Sequence, residues 1–367
     1  MKILFITGNY PSAVCGIGDY TNKLAVELIA LGHNVSVITS IENLPKYSKV
    51  DIYNIIEKWD FSSLRKIQGV IAHFNPNIIH IQYSIKRYGK SSFINFLPLL
   101  IFKYSNIKNF QTIHEHTENS FLGKVRNYIN LSFADGVIAV EENDKITFEK
   151  YFQTLRKKTQ VTFIPALSNI PVASLTEQDI IRIKSTFKAT GKRLVTFFGF
   201  INDKKSIENI FESCSPDKYV VVLITKFNDQ DAYHMKINKI ITSELWREAA
   251  FVTGYLEDNK VADLLAASDI CIYPFKNGVS SRNASVKASL LQGTYTIATH
   301  KHLRGYDKKR NIYYVPINDK IALKKALDNK EINKSERDKT IEMSWYSIAL
   351  LHIELYSNVL QRKELNG

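Results

Sequence analysis

AFVTGYLEDNKVADLLAASDICIYPFKNGVSSRNASVKASLLQGTYTIAT, running from Ala250 to Thr299, decides the fold. It reads as a loop, an amphipathic helix, a buried strand, a polar loop, a second helix and a second buried strand. The runs DICIY (Asp269–Tyr273) and YTIAT (Tyr295–Thr299) are short, almost uniformly apolar and bounded by polar or glycine-bearing segments, as expected of strands covered on both faces. The polar loop Lys276–Asn283 follows the carboxyl end of the first strand, where open α/β sheets hold their ligands.

The same alternation extends in both directions. Buried-strand patterns recur at Lys2–Thr7, Asn34–Thr39, Ile78–Gln82, Asn109–His114, Gly136–Val140 and Val161–Pro165. A second series follows at Leu194–Gly199, Tyr219–Thr225, Ala250–Thr253 and Ile312–Val315, with helical patterns between members. Strand, helix and returning strand form a right-handed unit with a parallel sheet, so the chain predicts two doubly wound α/β domains. Ala166–Gln178 has no periodicity and carries Pro171, which places the linker there. The expected domains are residues 1–170 and 171–342. From Met343 onward, Ile348, Leu351, Leu355 and Val359 share one helical face, so residues 343–367 predict an amphipathic helix that packs back toward the first domain.

A chain of 367 residues has room for about two cores, and its composition of 45% hydrophobic and 23% charged residues excludes disorder. No apolar run is long enough to span a bilayer; the nearest, Phe93–Tyr104, is broken by Pro98 and bounded by Lys103. Met1 leads directly into a strand pattern instead of a signal peptide, so a cytoplasmic protein is expected. Cys15, Cys214 and Cys271 lack metal-ligand spacing and fit packing positions in a reducing compartment.

The net charge of +13 calls for an anionic partner. Lysines and arginines are scattered, with small clusters at Arg156–Lys158, Lys308–Arg310 and Lys324–Lys325. No face interleaves basic and aromatic residues, so nucleic acid is not an expected partner. Attraction to an anionic membrane, or solubility alone, fits the scatter better.

Several strand ends carry chemistry-bearing residues. Cys15-Gly16-Ile17-Gly18-Asp19 lies between the first strand and its helix, and reads either as an ordinary turn or as a loop whose backbone approaches an anion. It is not a dinucleotide fingerprint, because Thr21 stands where the third glycine would be. His80, inside IIHIQ, reads as a core histidine satisfied by hydrogen bonds. His114 and His116 close TIHEH at a strand's carboxyl end, where catalytic groups collect. No third zinc ligand accompanies them, so no metal is expected. Asp229-Gln230-Asp231 has a paired-acid form but reads as a helix cap.

In FFGFINDKKSIE (Phe197–Glu208), Gly199 ends a strand, and Lys205 either reaches a diphosphate or is simply solvated. In the loop after DICIY, Ser280, Ser281, Arg282 and Asn283 offer an arginine fork and hydroxyls, suited both to phosphate oxygens and to capping the next helix.

With these residues in place, the chain resembles the GT-B glycosyltransferases of family four, the group-one sugar-nucleotide transferases of surface polysaccharide synthesis. The likeness runs over nearly the whole chain. It rests on CGIGDYTNKLAVELIALGHNVSVIT, IIHIQY, QTIHEH, ADGVIAV, IPALSNI, FFGFINDKKSIE, TGYLEDNKVADLLAASDICIYPF and SWYSIALLHIELYSNVL. It implies two facing Rossmann-like domains, with the nucleotide-diphosphate sugar donor on the second, a glycan or lipid-linked acceptor on the first, and a C-terminal helix crossing back. It also implies a retaining, metal-independent reaction without a separate cofactor, at the inner face of the membrane.

On that pattern Lys205 and Arg282 neutralise the departing diphosphate, and Gly16, Ile17 and Gly18 close on donor and acceptor. His114 stands near the donor sugar, while Gly199, Ser280, Ser281 and Asn283 line the donor loop. The chain departs from the pattern where the family carries paired glutamates, which fall on Ser280 and Ala288 when Gly293 is the motif glycine. What stands there is similar to a subgroup's GVSxR loop. The first-loop glycine pair is here Cys15-Gly16, and Phe200 replaces the arginine that often follows the motif glycine. The missing carboxylates leave a non-catalytic sugar-nucleotide-binding partner open, and the same architecture also fits a nucleotide-sugar epimerase.

Overall fold

The computed structural model describes residues 1–11, 13, 15–42, 49–88, 91–102, 106–116, 120–329 and 344–364, without the side chains at 86, 102 and 362–364. Lys103, Tyr104 and Met343 lie outside the described residues. Two compact units divide the chain: Met1–Ala166 together with Met343–Gly367, and Leu167–Glu342.

In the first unit, seven strands form one parallel sheet: β1 (Lys2–Thr7), β2 (Asn34–Ser40), β3 (Asp51–Ile56), β4 (Ile78–Tyr83), β5 (Lys108–Ile113), β6 (Gly136–Ala139) and β7 (Gln160–Phe163). Their order is β3-β2-β1-β4-β5-β6-β7. The chain winds outward from β1 to β3, then returns to add β4 on the other side of β1. Loops leaving β1 and β4 therefore diverge and open a crevice at the carboxyl edge.

Period-two alternation along β4 explains the two layers that cover this sheet. Ile79 and Ile81 join Leu4, Ile6, Ile113 and Val137 in the core beneath the helices Leu64–Phe74 and Phe93–Phe102. His80 faces the opposite layer, where Tyr356 of the helix Trp345–Glu364 lies 4.8 Å from the Phe110 ring and 2.5 Å from His80 Nδ1. That last helix is thus held by both an apolar surface and a buried hydrogen bond. Among its face residues, Ile348, Leu355 and Val359 are buried.

The second unit repeats the plan with β8 (Arg193–Phe198), β9 (Tyr219–Ile224), β10 (Ala250–Val252), β11 (Ile270–Tyr273), β12 (Tyr295–Thr299), β13 (Gly305–Asp307) and β14 (Ile312–Val315). The order is β10-β9-β8-β11-β12-β14-β13, which puts the reversal between β8 and β11. Gln292 fastens the linker to this unit. Its Oε1 accepts from Ala173 N at 2.9 Å, and its Nε2 donates to Pro171 O at 2.8 Å.

Two strands are absent from the sequence reading. β3 is an edge strand whose central residues are only half-buried, so it lacks the apolar run that marks its neighbours. β13 has three residues and pairs antiparallel with β14, which makes this sheet mixed. A strand so short has no period to detect.

Candidate active site

In the second unit the two loops at the reversal point are stitched together. After β8, Gly199 adopts φ +135°, a conformation that a side chain would strain. Its position places the chain beside Ser285 in the first turn of the helix Ala284–Leu291: a Cβ at residue 199 would lie 3.6 Å from Ser285 Cβ. Asn202 then caps a short turn at Asp203–Lys205, its side chain accepting from Lys204 N at 3.0 Å. The following helix opens only at Glu208, because Ser206 has φ +47° and interrupts the helical backbone.

The loop after β11 runs alongside. Lys276 N donates to Lys204 O at 2.9 Å, and Lys276 Nζ stands 4.0 Å from an Asp203 carboxylate oxygen. Lys205 Nζ sits 3.5 Å from the centroid of the Phe275 ring, a cation–π seat that holds the ammonium at the strand ends. Farther along, Ser280 N donates to Asn283 Oδ1 at 2.7 Å and Asn283 N donates to Ser280 O at 3.1 Å. Asn283 is the N-cap residue, but its amide oxygen folds the Ser280–Asn283 turn instead of capping the helix. Arg282 N lies 3.4 Å from Ser280 Oγ, and Ser281 is exposed. Ala288, where the resemblance would put the second glutamate, is completely buried. A carboxylate there would need a buried partner.

His300 was not among the sequence candidates, yet it adjoins the same loop. Val279 N donates to Thr299 O at 2.7 Å, which brings the residue after β12 to the Gly278–Val279 backbone. His300 Nδ1 accepts from His302 N at 3.1 Å and Leu303 N at 2.9 Å, so a neutral ring carries its proton on Nε2. Burial, then His302, Arg304 and Lys301, hold its pKa below the usual histidine value. The arrangement yields a neutral N–H donor in a basic loop. Its signal in the sequence is position alone, directly after YTIAT. Phe275 carries the same kind of signal, two residues past β11.

In the first unit, His114 and Gln82 meet at the carboxyl ends of β5 and β4. His114 Nε2 donates to Gln82 Oε1 at 2.8 Å, and His114 N extends the ladder to Tyr83 O at 3.1 Å. The imidazole is 9% exposed and meets the edge of the Tyr20 ring at 5.5 Å. His116 is packed between Tyr128 and Phe148 and hydrogen-bonded to Asn127 at 3.0 Å; burial lowers its pKa to about 4. His80 is a core histidine, bonded on one side to Tyr356 and on the other to Thr112 at 2.8 Å.

The Gly16–Gly18 segment differs from its expected form. It is the first turn of the helix Gly16–Ala30 and not a loop, with Asp19 N already donating to Cys15 O at 2.9 Å. Gly18 is needed sterically, since a Cβ there would come within 3.0 Å of Asn9 O and 3.1 Å of Tyr10 Cα. Gly16 has nothing within 4 Å of the same position, so that end of the turn is open, and Ile17 lies between them, half-buried.

Asp231 caps the helix Ala232–Ile241, accepting from Tyr233 N and His234 N. Among the described residues no group of three His, Cys, Asp or Glu side chains is arranged to hold a metal ion, and no helix is long and apolar enough to cross a membrane. A depression lined by Gly32, His33, Asn34 and Asp51 lies at the amino end of β2, the edge away from the candidate site.

No family model matches the sequence, and no curated protein matches it. Solved structures do. A sucrose-phosphate synthase from Thermosynechococcus elongatus superimposes with a TM-score of 0.73 at 15% identity, covering 99% of this chain and 100% of that one. A glycosyltransferase from Rickettsia africae gives 0.70 at 16% identity, with 98% of each chain covered. The Anabaena protein HepE in complex with UDP-glucose gives 0.66 at 14% identity, with 99% of each covered. The chain therefore has the two-domain α/β fold of GT-B glycosyltransferases.

Proposed function

We propose that the protein is a glycosyltransferase that moves a sugar from a nucleotide-diphosphate donor to a glycan or lipid-linked acceptor in cell-surface polysaccharide synthesis, with retention and without a metal. One observation carries this reading. In the second unit the loops after β8 and β11 are joined at the reversal point, so that Lys205 is seated on Phe275, in the loop that continues into the Ser280–Asn283 turn. Cations and backbone N–H groups fixed at a strand-end crevice suit a diphosphate. HepE, which shares the fold, holds UDP-glucose.

On this reading the donor lies at the second unit. Lys205 and Arg282 take up the charge that develops on the departing diphosphate, while Ser280, Ser281, Asn283 and Gly199 shape the loop around it. Stabilising charge that grows only in the transition state is the main source of acceleration open to this set of residues. His114, oriented by Gln82, stands with Gly16, Ile17 and Gly18 at the strand ends of the first unit and contributes to the sugar and acceptor side. No cofactor is involved. Work at the inner face of the membrane agrees with a net charge of +13, since each Lys or Arg near an anionic surface contributes about 1 kcal/mol.

Thermal denaturation with nucleoside diphosphates and their sugars tests the donor assignment. A ligand at a hundred times its Kd stabilises the folded state by about 2.7 kcal/mol and raises Tm. If none of the common nucleoside diphosphates shifts Tm, the donor assignment fails. Ser280 and Ala288 in place of carboxylates favour one second reading, a sugar-nucleotide-binding partner without turnover. Transfer, or hydrolysis of the donor by purified protein, excludes it. An epimerized sugar nucleotide formed without acceptor would instead identify an epimerase.

A further inference from the structure

We propose that Tyr233 and His234, in the first turn of the helix Ala232–Ile241, are positioning residues that set where the Lys205 ammonium meets the donor diphosphate. The inference rests on the donor assignment made above and carries it to a further element. None of the proposed donor residues lies in the loop or helix after β9. Yet two consecutive side chains of that helix bond the backbone at the two ends of the Lys205 loop.

Between Ile201 and Ile207, both buried, Asn202, Asp203 and Lys204 are exposed and Lys205 is half-buried. At one end of this stretch, His234 Nδ1 accepts from Asn228 N at 2.8 Å, so a neutral ring carries its proton on Nε2 and donates it to Ile201 O at 3.0 Å. At the other end, Ile207 N donates to Tyr233 Oη at 2.8 Å. The phenol's own proton is then directed to Glu208 Oε2, 2.5 Å away. Lys236 Nζ, 2.8 Å from Glu208 Oε1, holds that carboxylate from its other oxygen.

The clamp is itself built on a fixed base. The Asp231 carboxylate accepts from Tyr233 N at 2.8 Å and from His234 N at 3.1 Å, and Asn228 Oδ1 accepts from Gln230 N at 3.0 Å. The polar stretch FNDQDAYH, whose acid serves as a cap, thus also aims the two side chains that follow it. Together with the bond from Lys276 N to Lys204 O, they pin the backbone around Lys205 at residues 201, 204 and 207. A lysine presents its charge on a flexible four-carbon stem, so the charge is placed no better than the backbone that carries it. A displacement of about 1 Å can cost as much as a hundredfold at a reacting centre. Apolar packing alone would cover this loop; directional bonds to its backbone also fix where it stands. Tyr233 and His234 touch no reacting atom on this reading and act through Lys205.

Calorimetric titration with UDP, ADP and GDP tests the inference on whichever of them the parent binds. Tyr233→Phe and His234→Ala should each raise Kd by about five- to tenfold, and His234→Gln, whose amide nitrogen can reach Ile201 O, should return it to within about twofold of the parent. Tm reports folding. Partial unfolding lowers the bound stoichiometry without moving Kd, so a merely structural role would leave Kd unchanged. Added to Lys205→Ala, which by itself weakens binding, His234→Ala should change Kd by less than about twofold, because residues acting through one charge are not additive. Parent-like Kd in the folded Tyr233→Phe and His234→Ala variants overturns the proposal. So does an undiminished effect of His234→Ala in the Lys205→Ala background, since the helix would then act elsewhere. A parent that binds none of the three nucleotides overturns the donor assignment and this inference with it, an outcome distinct from an idle clamp, where parent and variants bind alike.

Discussion

Lys205 Nζ lies 3.5 Å from the centre of the Phe275 ring, and the backbone one residue away on each side is joined by the bond from Lys276 N to Lys204 O. The two side chains thus come from loops after different strands but share one rigid junction. A lysine on a flexible four-carbon stem loses little mobility by chance; here the ring and the stitched backbone fix where its charge stands.

Lys205→Ala should therefore lower kcat/KM for the donor by about a hundredfold, in the range seen when one charge-stabilising donor is removed from a transition state. The Tm of the free protein should hardly move, because the Lys205 ammonium is not part of the core. Phe275→Leu should keep the fold and lose about 1 kcal/mol of the lysine's seat, with a smaller kinetic effect. Steady-state kinetics of the two variants provide the check. Parent-like turnover by Lys205→Ala would remove that lysine from the diphosphate site.

Arg282 allows a sharper distinction, because an arginine fork and a lysine point charge are not equivalent. Arg282→Lys is expected to retain part of nucleoside diphosphate binding, whereas Arg282→Ala should weaken it by about ten- to a hundredfold, matching about 1.5–3 kcal/mol for a charge-assisted hydrogen bond. Calorimetric titration with UDP, ADP and GDP gives the comparison. A nucleoside of similar size without phosphates should bind all three proteins alike.

Most strands could be read from the sequence because parallel strands buried on two faces are continuous apolar runs; Lys2–Thr7, Tyr295–Thr299 and Ile312–Val315 agree residue for residue. β3 and β13 escaped because edge strands are half-covered or too short for periodicity. The candidate loops were legible as places, since Gly199, Lys205 and Ser280–Asn283 all follow strand ends. Their partners were not. Nothing local in the sequence says that Phe275 will lie under Lys205, or that the polar turn of YTIATH will bring His300 to Val279, because both juxtapositions are set by how separate loops pack. The outward Phe121 and Leu122 are a related case: an apolar pair reads equally as core until the inward side of the same helix is found to carry Asn127 and Asn130.

The first turn of the helix Gly16–Ala30 separates packing from function within three residues. Gly18→Ala puts a methyl group 3.0 Å from Asn9 O and 3.1 Å from Tyr10 Cα, both backbone atoms that cannot swing aside, and should cost about 1–3 kcal/mol. Gly16→Ala meets nothing within 4 Å and should be neutral or stabilising by up to about 1 kcal/mol, as alanine favours a helix over glycine. If Gly16 lets the backbone approach a substrate, Gly16→Ala will lower transfer while urea denaturation shows no loss of stability. Unchanged transfer would make the open space incidental.

The helix Trp345–Glu364 carries the clearest pH prediction. His352 is completely buried, its Nδ1 bonded to Ile348 O at 2.8 Å and its Nε2 3.5 Å from Tyr20 Oη, and burial lowers its pKa to about 4. His80, on the facing strand, is shifted in the same direction, again chiefly by burial. Both rings are neutral in the folded protein at pH 7, while unfolded histidines titrate near 6.5. Above that value neither state binds the proton and the stability is complete. As pH falls below about 6.5 the unfolded state takes up protons first, so each histidine removes up to about 1.4 kcal/mol per pH unit until the folded pKa is reached. For His352 the window closes near pH 4, a loss of roughly 3 kcal/mol over its full width. Urea denaturation at pH 7.5 and pH 5 should show the decline, and His352→Leu should flatten it while lowering the plateau. An equal pH dependence in parent and variant would mean that this histidine is protonated in the folded protein and that other groups set the acid limit.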